Sequence, residues 1–171
     1  HVRGAMIQDR QAAISLRTYY RNVRIKGAPI KVYFDRSYFP GYGWLFVDDD
    51  GLANIGLGYA VDPTFPAPQG LAATFRRFLE TELAGPLAKA TRCGAVSGGS
   101  ASFYRPHAIV DDRVMLIGDA ANQADPLNGG GIHKAMESAF LAAEAAGRAL
   151  ESGDFSRRAL SHYETLWNQH I

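Results

Sequence analysis

The chain has 171 residues, 18 Lys and Arg against 17 Asp and Glu, and 47% hydrophobic residues. Apolar content of that order excludes a disordered chain, near-balanced charge leaves no electrostatic footprint for nucleic acid, and the apolar runs fall short of a membrane span. A single cysteine, Cys93, cannot close an internal disulfide, so a reducing, cytoplasmic setting without a secretory signal is the expectation. The length fits one domain or slightly more, and His1 in place of methionine raises the expectation of a chain trimmed from a longer polypeptide.

In chain order, Met6 to Tyr20 mixes Gln, Ala, Arg and Leu without Gly or Pro and predicts a short helix running into Tyr19 and Tyr20. From Lys31 the texture becomes β-branched and aromatic. Lys31 to Asp35, Gly43 to Val47 and Leu52 to Tyr59 predict three strands, the last two joined as an antiparallel hairpin through the turn residues Asp48, Asp49, Asp50 and Gly51. Prolines between Asp62 and Pro68 then interrupt both helix and ladder. Leu71, Phe75, Phe78, Leu79 and Leu83 recur at helical spacing and predict an amphipathic helix that stops near Gly85 and Pro86, with Arg76, Arg77, Glu80 and Glu82 as its solvated face.

Arg92 to Arg105 is mostly small residues around Ser97-Gly98-Gly99-Ser100, and predicts a strand interrupted by a turn or a loop. Val114 to Gly118 is apolar on both faces, the pattern of a buried strand in a parallel sheet. Gly130 to Leu150 predicts a long helix whose alanines pack closely against a sheet, and Phe155 to Asn168 a second helix after a break at Ser152 and Gly153.

The chemistry concentrates between Val114 and Ile132. A strand that ends at Gly118-Asp119 places a carboxylate at the edge where open α/β sheets bind ligands. Asp119 there suits the hydroxyls of a sugar or sugar-alcohol chain. Gly129, Gly130 and Gly131 let a flat ligand approach the backbone, and the N–H groups of the helix start point at it with partial positive charge. Taken singly, Asp119 reads as a turn cap and the glycines as a linker; taken together they suit a flavin. Its ribityl hydroxyls would meet the carboxylate, and its pyrimidine edge, which gains negative charge on reduction, would meet the helix N-terminus.

Gly118-Asp119-Ala120-Ala121, followed by Pro126 and by Gly129 with Gly131-Ile132, resembles the second FAD-binding motif of the flavoprotein family that contains aromatic hydroxylases, flavin-dependent halogenases and geranylgeranyl reductases. The resemblance implies that Gly118, Asp119, Pro126, Gly129, Gly130, Gly131 and Ile132 hold FAD. Ala135-Met136-Glu137-Ser138, Pro40 to Phe46 and Gly51 to Gly58 are most similar to the geranylgeranyl reductase branch, in which a Tyr-x-Trp-x-Phe strand lines the substrate cavity. The matching positions are Tyr42, Trp44 and Phe46; two of the three are expected to share a face, leaving one for the core. The likeness spans Ala12 to Tyr163 and departs at Val47, where the branch has proline, and at Asn122, where it often has glycine.

What the resemblance implies is an α/β parent fold, α+β over the residues at hand, made of part of a flavin-binding domain and an antiparallel substrate-domain sheet. Residues 1–104 would supply mainly the substrate-domain sheet and helix, and residues 105–171 the C-terminal part of the FAD-binding domain. Family members begin with a βαβ unit whose Gly-x-Gly-x-x-Gly turn holds the FAD pyrophosphate, whereas Gly41-Tyr42-Gly43 and Gly56-Leu57-Gly58 each lack the third glycine and the following helix. The chain therefore reads as the later part of a longer enzyme, inactive alone.

The implied function is FAD-dependent reduction of carbon–carbon double bonds in an isoprenoid-like apolar substrate, with NAD(P)H as reductant. The alternatives are a flavin-dependent monooxygenase or halogenase, and a non-catalytic binding module. The expected partners are an apolar small molecule, a membrane surface touched peripherally, and another copy of the chain through the unpaired strand at Val114 to Gly118, but no nucleic acid.

No catalytic acid is assigned. His133, in the first turn of the long helix where the dipole disfavours its protonated form, reads as a surface or packing residue, and His107 shows no partner. Cys93 reads as a small buried hydrophobe. Asp48, Asp49 and Asp50 lack the spacing of a calcium loop, and no metal site is expected.

Overall fold

The computed structural model describes residues 12–61, 70–103, 108–126 and 128–170. The proline-rich break, His107 and residues 6–11 of the first expected helix lie outside them. The chain forms two compact units, the first ending at Ser100 and the second beginning at Ala101.

The first unit opens with a strand where a helix was expected: β1, Ala12–Arg21, pairs antiparallel with β4, Ala53–Ala60, from Ala13 opposite Ala60 to Tyr20 opposite Ala53. Residues such as Ala, Leu and Arg tolerate either state, and the ladder decides. Its period of two sends Ile14, Leu16 and Tyr20 to the core while Arg17 stays exposed. The three expected strands form as β2, Ile30–Tyr33, β3, Gly41–Val47, and β4. The sheet order is β2-β3-β4-β1-β5, with β5 at Thr91–Arg92, and β6, Ser97–Ser102, also pairs with β1. The hairpin between β3 and β4 turns on Asp48, whose Oδ1 accepts the amides of Asp50 (3.1 Å) and Leu52 (2.7 Å).

One face of this sheet is covered by α1, Gly70–Glu80. Leu45, Ile55 and Leu57 of the strands are fully buried with Phe75 and Phe78 of the helix and with Leu83 beyond it. The helix ends earlier than expected. Gly85 and Pro86 lie inside a short α2, Ala84–Leu87, where proline is tolerated because first-turn amides have no intrahelical acceptor.

In the second unit, β7, Val110–Asp111, and β8, Val114–Met115, form a short antiparallel ladder. This replaces the buried parallel strand expected over Val114 to Gly118. Only Met115 and Leu116 pack on the helical core, whereas Val114 is 41% and Ile117 38% exposed. A strand apolar on both faces needs a layer on each side, and the described residues supply one.

That layer is helical. In α3, Ile132–Ser152, the small side chains of Ala142, Ala145 and Ala149 close against Leu160, Tyr163 and Trp167 of α4, Arg157–His170, and against Ile109 and Val110. The alanines thus serve mainly helix-on-helix packing, where a sheet was expected. Ser156 caps α4 through its Oγ, which accepts the Ala159 amide (3.3 Å), and Asp112 Oδ1 accepts that of Arg157 (2.7 Å). Among the described residues no helix is long and apolar enough to cross a membrane.

Candidate functional site

After β8 the backbone runs extended through Ile117 and enters a 3-10 turn at Gly118–Ala121, which exits through Asn122 at φ 52°. That left-handed exit accounts for an Asn at a position where glycine also serves. Gly118 is required twice over. Its φ is +56°, and an added Cβ would lie 3.0 Å from Cβ of Ala135 on α3.

The turn is anchored by buried polar side chains. The Gly118 amide donates to Gln123 Oε1 (2.7 Å) and to Ser138 Oγ (3.2 Å). Gln123 Nε2 donates to the Tyr163 hydroxyl (2.8 Å), which itself donates to the Leu116 carbonyl (2.9 Å). Ser138 and Tyr163 are fully buried and Gln123 nearly so. Burial raises the Tyr163 pKa, against the opposing effect of its hydrogen bonds with Gln123 and Ser138, so the phenol keeps its proton at neutral pH.

Asp119 follows, exposed, with no partner for its carboxylate among the described residues. The carboxylate stands over Gly131, where an added Cβ would lie 3.0 Å from Oδ1. Gly131 is also the N-cap of α3, and no side chain caps that helix, so the amides of its first turn stay available. The preceding amides are not: Gly129 N donates to the Asp125 carbonyl (2.8 Å) and Gly130 N to Asn128 Oδ1 (2.6 Å).

These groups line an open cleft of about 460 Å³ together with Ile117, Ala124, Ile132 and Ala135. Of the seven residues expected there, Gly118, Asp119, Gly129, Gly131 and Ile132 line it; Gly130 and the exposed Pro126 belong to the adjoining loop. A planar ligand bearing hydroxyls would find an acceptor on one side, uncapped amides on another and a floor at Gly131 that any Cβ would fill. The donor set and the shape therefore fit a flavin. His133 is exposed.

In the first unit, Tyr42, Trp44 and Phe46 all lie on one face of β3, which corrects the expected split, because residues two apart on a strand point the same way. Their rings follow one another at 6.0 and 6.4 Å, while Gly43 and Leu45 face the core. The Trp44 indole lies over Gly56, where any Cβ would collide with it. Its Nε1 donates to Asn54 Oδ1 (2.9 Å), and Asn54 Nδ2 donates to the Tyr19 hydroxyl (3.1 Å). Burial raises the Tyr42 pKa, so its phenol stays protonated at neutral pH. Cys93 is exposed, contrary to expectation, because it extends a short two-residue strand at the sheet margin.

Sequence reasoning missed Gln123, Ser138 and Tyr163 at the turn, and Asn54 and Tyr19 beside Trp44. The only available signal was polarity at positions otherwise expected to be core, such as Ser138 on the small-residue side of α3.

No model of a known protein family matches the sequence. Curated relatives do. Digeranylgeranylglycerophospholipid reductase 2 of Methanothermobacter thermautotrophicus is 35% identical over 144 residues, covering 83% of this chain and 35% of the relative. Digeranylgeranylglycerophospholipid reductase of Methanothrix thermoacetophila is 39% identical over 132 residues, covering 77% and 32%. The chain spans about a third of the length of these relatives.

Among solved structures, a geranylgeranyl bacteriochlorophyll reductase-like protein of Thermoplasma acidophilum matches with TM-score 0.80 at 27% identity, over 97% of this chain and 41% of that one. A flavin-dependent brominase matches with TM-score 0.73 at 21% identity, over 95% and 42%, which speaks to fold alone. The α+β arrangement matches the flavoprotein fold of that geranylgeranyl reductase-like protein. Within that fold, the chain is similar over more than three quarters of its own length to digeranylgeranylglycerophospholipid reductases and over nearly all of it to the geranylgeranyl bacteriochlorophyll reductase-like protein.

Proposed function

We propose that the chain supplies the substrate-domain sheet (residues 1–104) and the flavin-contacting segment (residues 105–171) of an FAD-dependent oxidoreductase that reduces carbon–carbon double bonds of an isoprenoid-like substrate. The observation that carries the reading is the unpartnered Asp119 carboxylate beside the bare floor at Gly131 and the uncapped start of α3. When bound, FAD supplies the hydride chemistry, with NAD(P)H as the source of reducing equivalents.

The chain's own residues bind and orient. Asp119 accepts hydrogen bonds from ribityl hydroxyls, and the first-turn amides of α3 stabilise negative charge on the pyrimidine edge. Gly118, Gly129 and Gly131 leave room for the ring, Ile117 and Ile132 keep water from it, and the loop bearing Pro126 and Gly130 carries Gly129 and Gly131 into place. Tyr42, Trp44 and Phe46 receive the apolar substrate. An isoprenoid lipid partitions into bilayers, so a cytoplasmic enzyme with peripheral membrane contact is part of the reading.

The test is flavin uptake. Riboflavin and FAD should bind the purified chain with similar affinity, since no pyrophosphate-binding glycine turn occurs in its sequence, and Asp119→Ala should weaken both by at least about tenfold. Colourless protein that takes up neither flavin would overturn the proposal in favour of a non-catalytic module. The likeness to the brominase fold supports a second reading, a flavin-dependent monooxygenase or halogenase, separated by whether the reconstituted enzyme saturates an isoprenoid or oxygenates or halogenates its substrate.

A further inference from the structure

Asp119 presents a problem of aim. Its carboxylate has no partner among the described residues, so nothing at the side chain's own level fixes its direction. The direction must come from the backbone that carries it. That backbone has the left-handed Gly118 on one side and the left-handed Asn122 on the other, conformations both residue types reach at little cost, so the contacts around the turn decide which way it points.

The holding contacts converge from three elements. Gln123 closes back on the Gly118 amide from within the same turn, Ser138 reaches that amide from α3, and Tyr163 comes from α4. The Tyr163 phenol receives the Gln123 amide and donates to the Leu116 carbonyl, so one hydroxyl fixes the segment on both sides of Ile117. With both side-chain acceptors gone, the Gly118 amide would be buried without a partner, and the cheapest relief is rotation of the peptide next to Asp119.

We infer that Tyr163, acting through Gln123 and assisted by Ser138, positions the Asp119 carboxylate for the flavin, so that a residue of the C-terminal helix sets the geometry of a ligand contact it never touches. The inference rests on the flavin reading above. It makes Tyr163, Gln123 and Ser138 positioning residues.

A double-mutant cycle on the 171-residue chain, with riboflavin as the probe and flavin fluorescence as the readout, tests this. Tyr163→Phe should raise the riboflavin Kd about tenfold, and Ser138→Ala by a smaller factor of about three. In an Asp119→Ala background neither should raise it further, because both act through the carboxylate already removed. Leu160→Val, buried in the same core and outside the hydrogen-bonded chain, should lower the unfolding temperature and leave the Kd unchanged.

A Tyr163→Phe Kd within twofold of wild type, or a rise of the same factor in both backgrounds, overturns the inference while the flavin reading stands. Should Tyr163→Phe fail to fold, Ser138→Ala carries the same cycle with the same criteria. Failure of the wild-type chain to bind riboflavin overturns both.

Discussion

The two units solve the packing problem in opposite ways. The first fills its core with bulk: Leu45, Ile55, Leu57, Phe75, Phe78 and Leu83 interlock between sheet and helix, and an aromatic row gathers on the other face. The second closes on alanines and buries polar groups, Gln123, Ser138 and Tyr163, in the middle of its fold, while Ile132, at 82% exposed, and Phe140, at 75%, stand in solvent. Large apolar side chains give free energy per residue; buried hydrogen-bonded groups give direction at little net gain. The second unit sets its alanines against Leu160, Tyr163 and Trp167 and gives part of its interior to a backbone turn of defined shape, and that turn carries the candidate ligand contact.

If this contrast holds, the largest loss should come from the bulky core. Phe78 is buried between α1 and the sheet, its ring edge-on to Tyr33 (5.4 Å) and Tyr38 (6.1 Å), and an added Cβ on Gly43 would reach it at 2.6 Å. Phe78→Ala should cost about 3–5 kcal/mol in chemical denaturation, read as loss of the sheet signal. A cost below about 1 kcal/mol would mean the sheet does not depend on its aromatic filling, and the comparison would lose its first half.

A smaller loss, in the other unit, should follow from Gly118→Ala. The left-handed backbone alone penalises a β-carbon by about 1–2 kcal/mol. The 3.0 Å approach to Ala135 adds to it unless α3 yields by a few tenths of an ångström. Thermal unfolding followed by helical ellipticity should register the loss. No change there would show that the turn relaxes freely, which contradicts the idea that polar groups hold its shape.

The same contrast explains what could be read in advance. Strands β2, β3 and β4 were legible because β-branched and aromatic residues cluster between turn residues, a local signal, and the Asp48-to-Gly51 hairpin follows from its own four residues. β1 was not, since Ala12, Ala13, Leu16, Arg17 and Arg21 suit a helix as well as a strand, no turn residue marks its start, and the ladder with β4 selects the conformation. Val114 to Gly118 misled because apolarity on two faces states a need for cover without saying where the cover comes from. Of the site, Gly118, Asp119 and Gly131 were visible through their spacing. Gln123 and Tyr163 were not, because their hydrogen bond joins positions forty apart and neither residue type announces it.

The smallest expected effect lies on the exposed flank of α3. Ile132, Met136 and Phe140 follow one another at intervals of four and form a single stripe, while Ala142, Ala145 and Ala149 face α4. A side chain that already meets water has no burial to lose, so Phe140→Gln should change stability by no more than about 0.5 kcal/mol. The measurement is a denaturation midpoint taken at two protein concentrations. A loss above about 1.5 kcal/mol that grows with concentration would mean that the stripe is covered in solution by another copy of the chain, and the second unit would then draw on apolar bulk after all, supplied from outside its own residues.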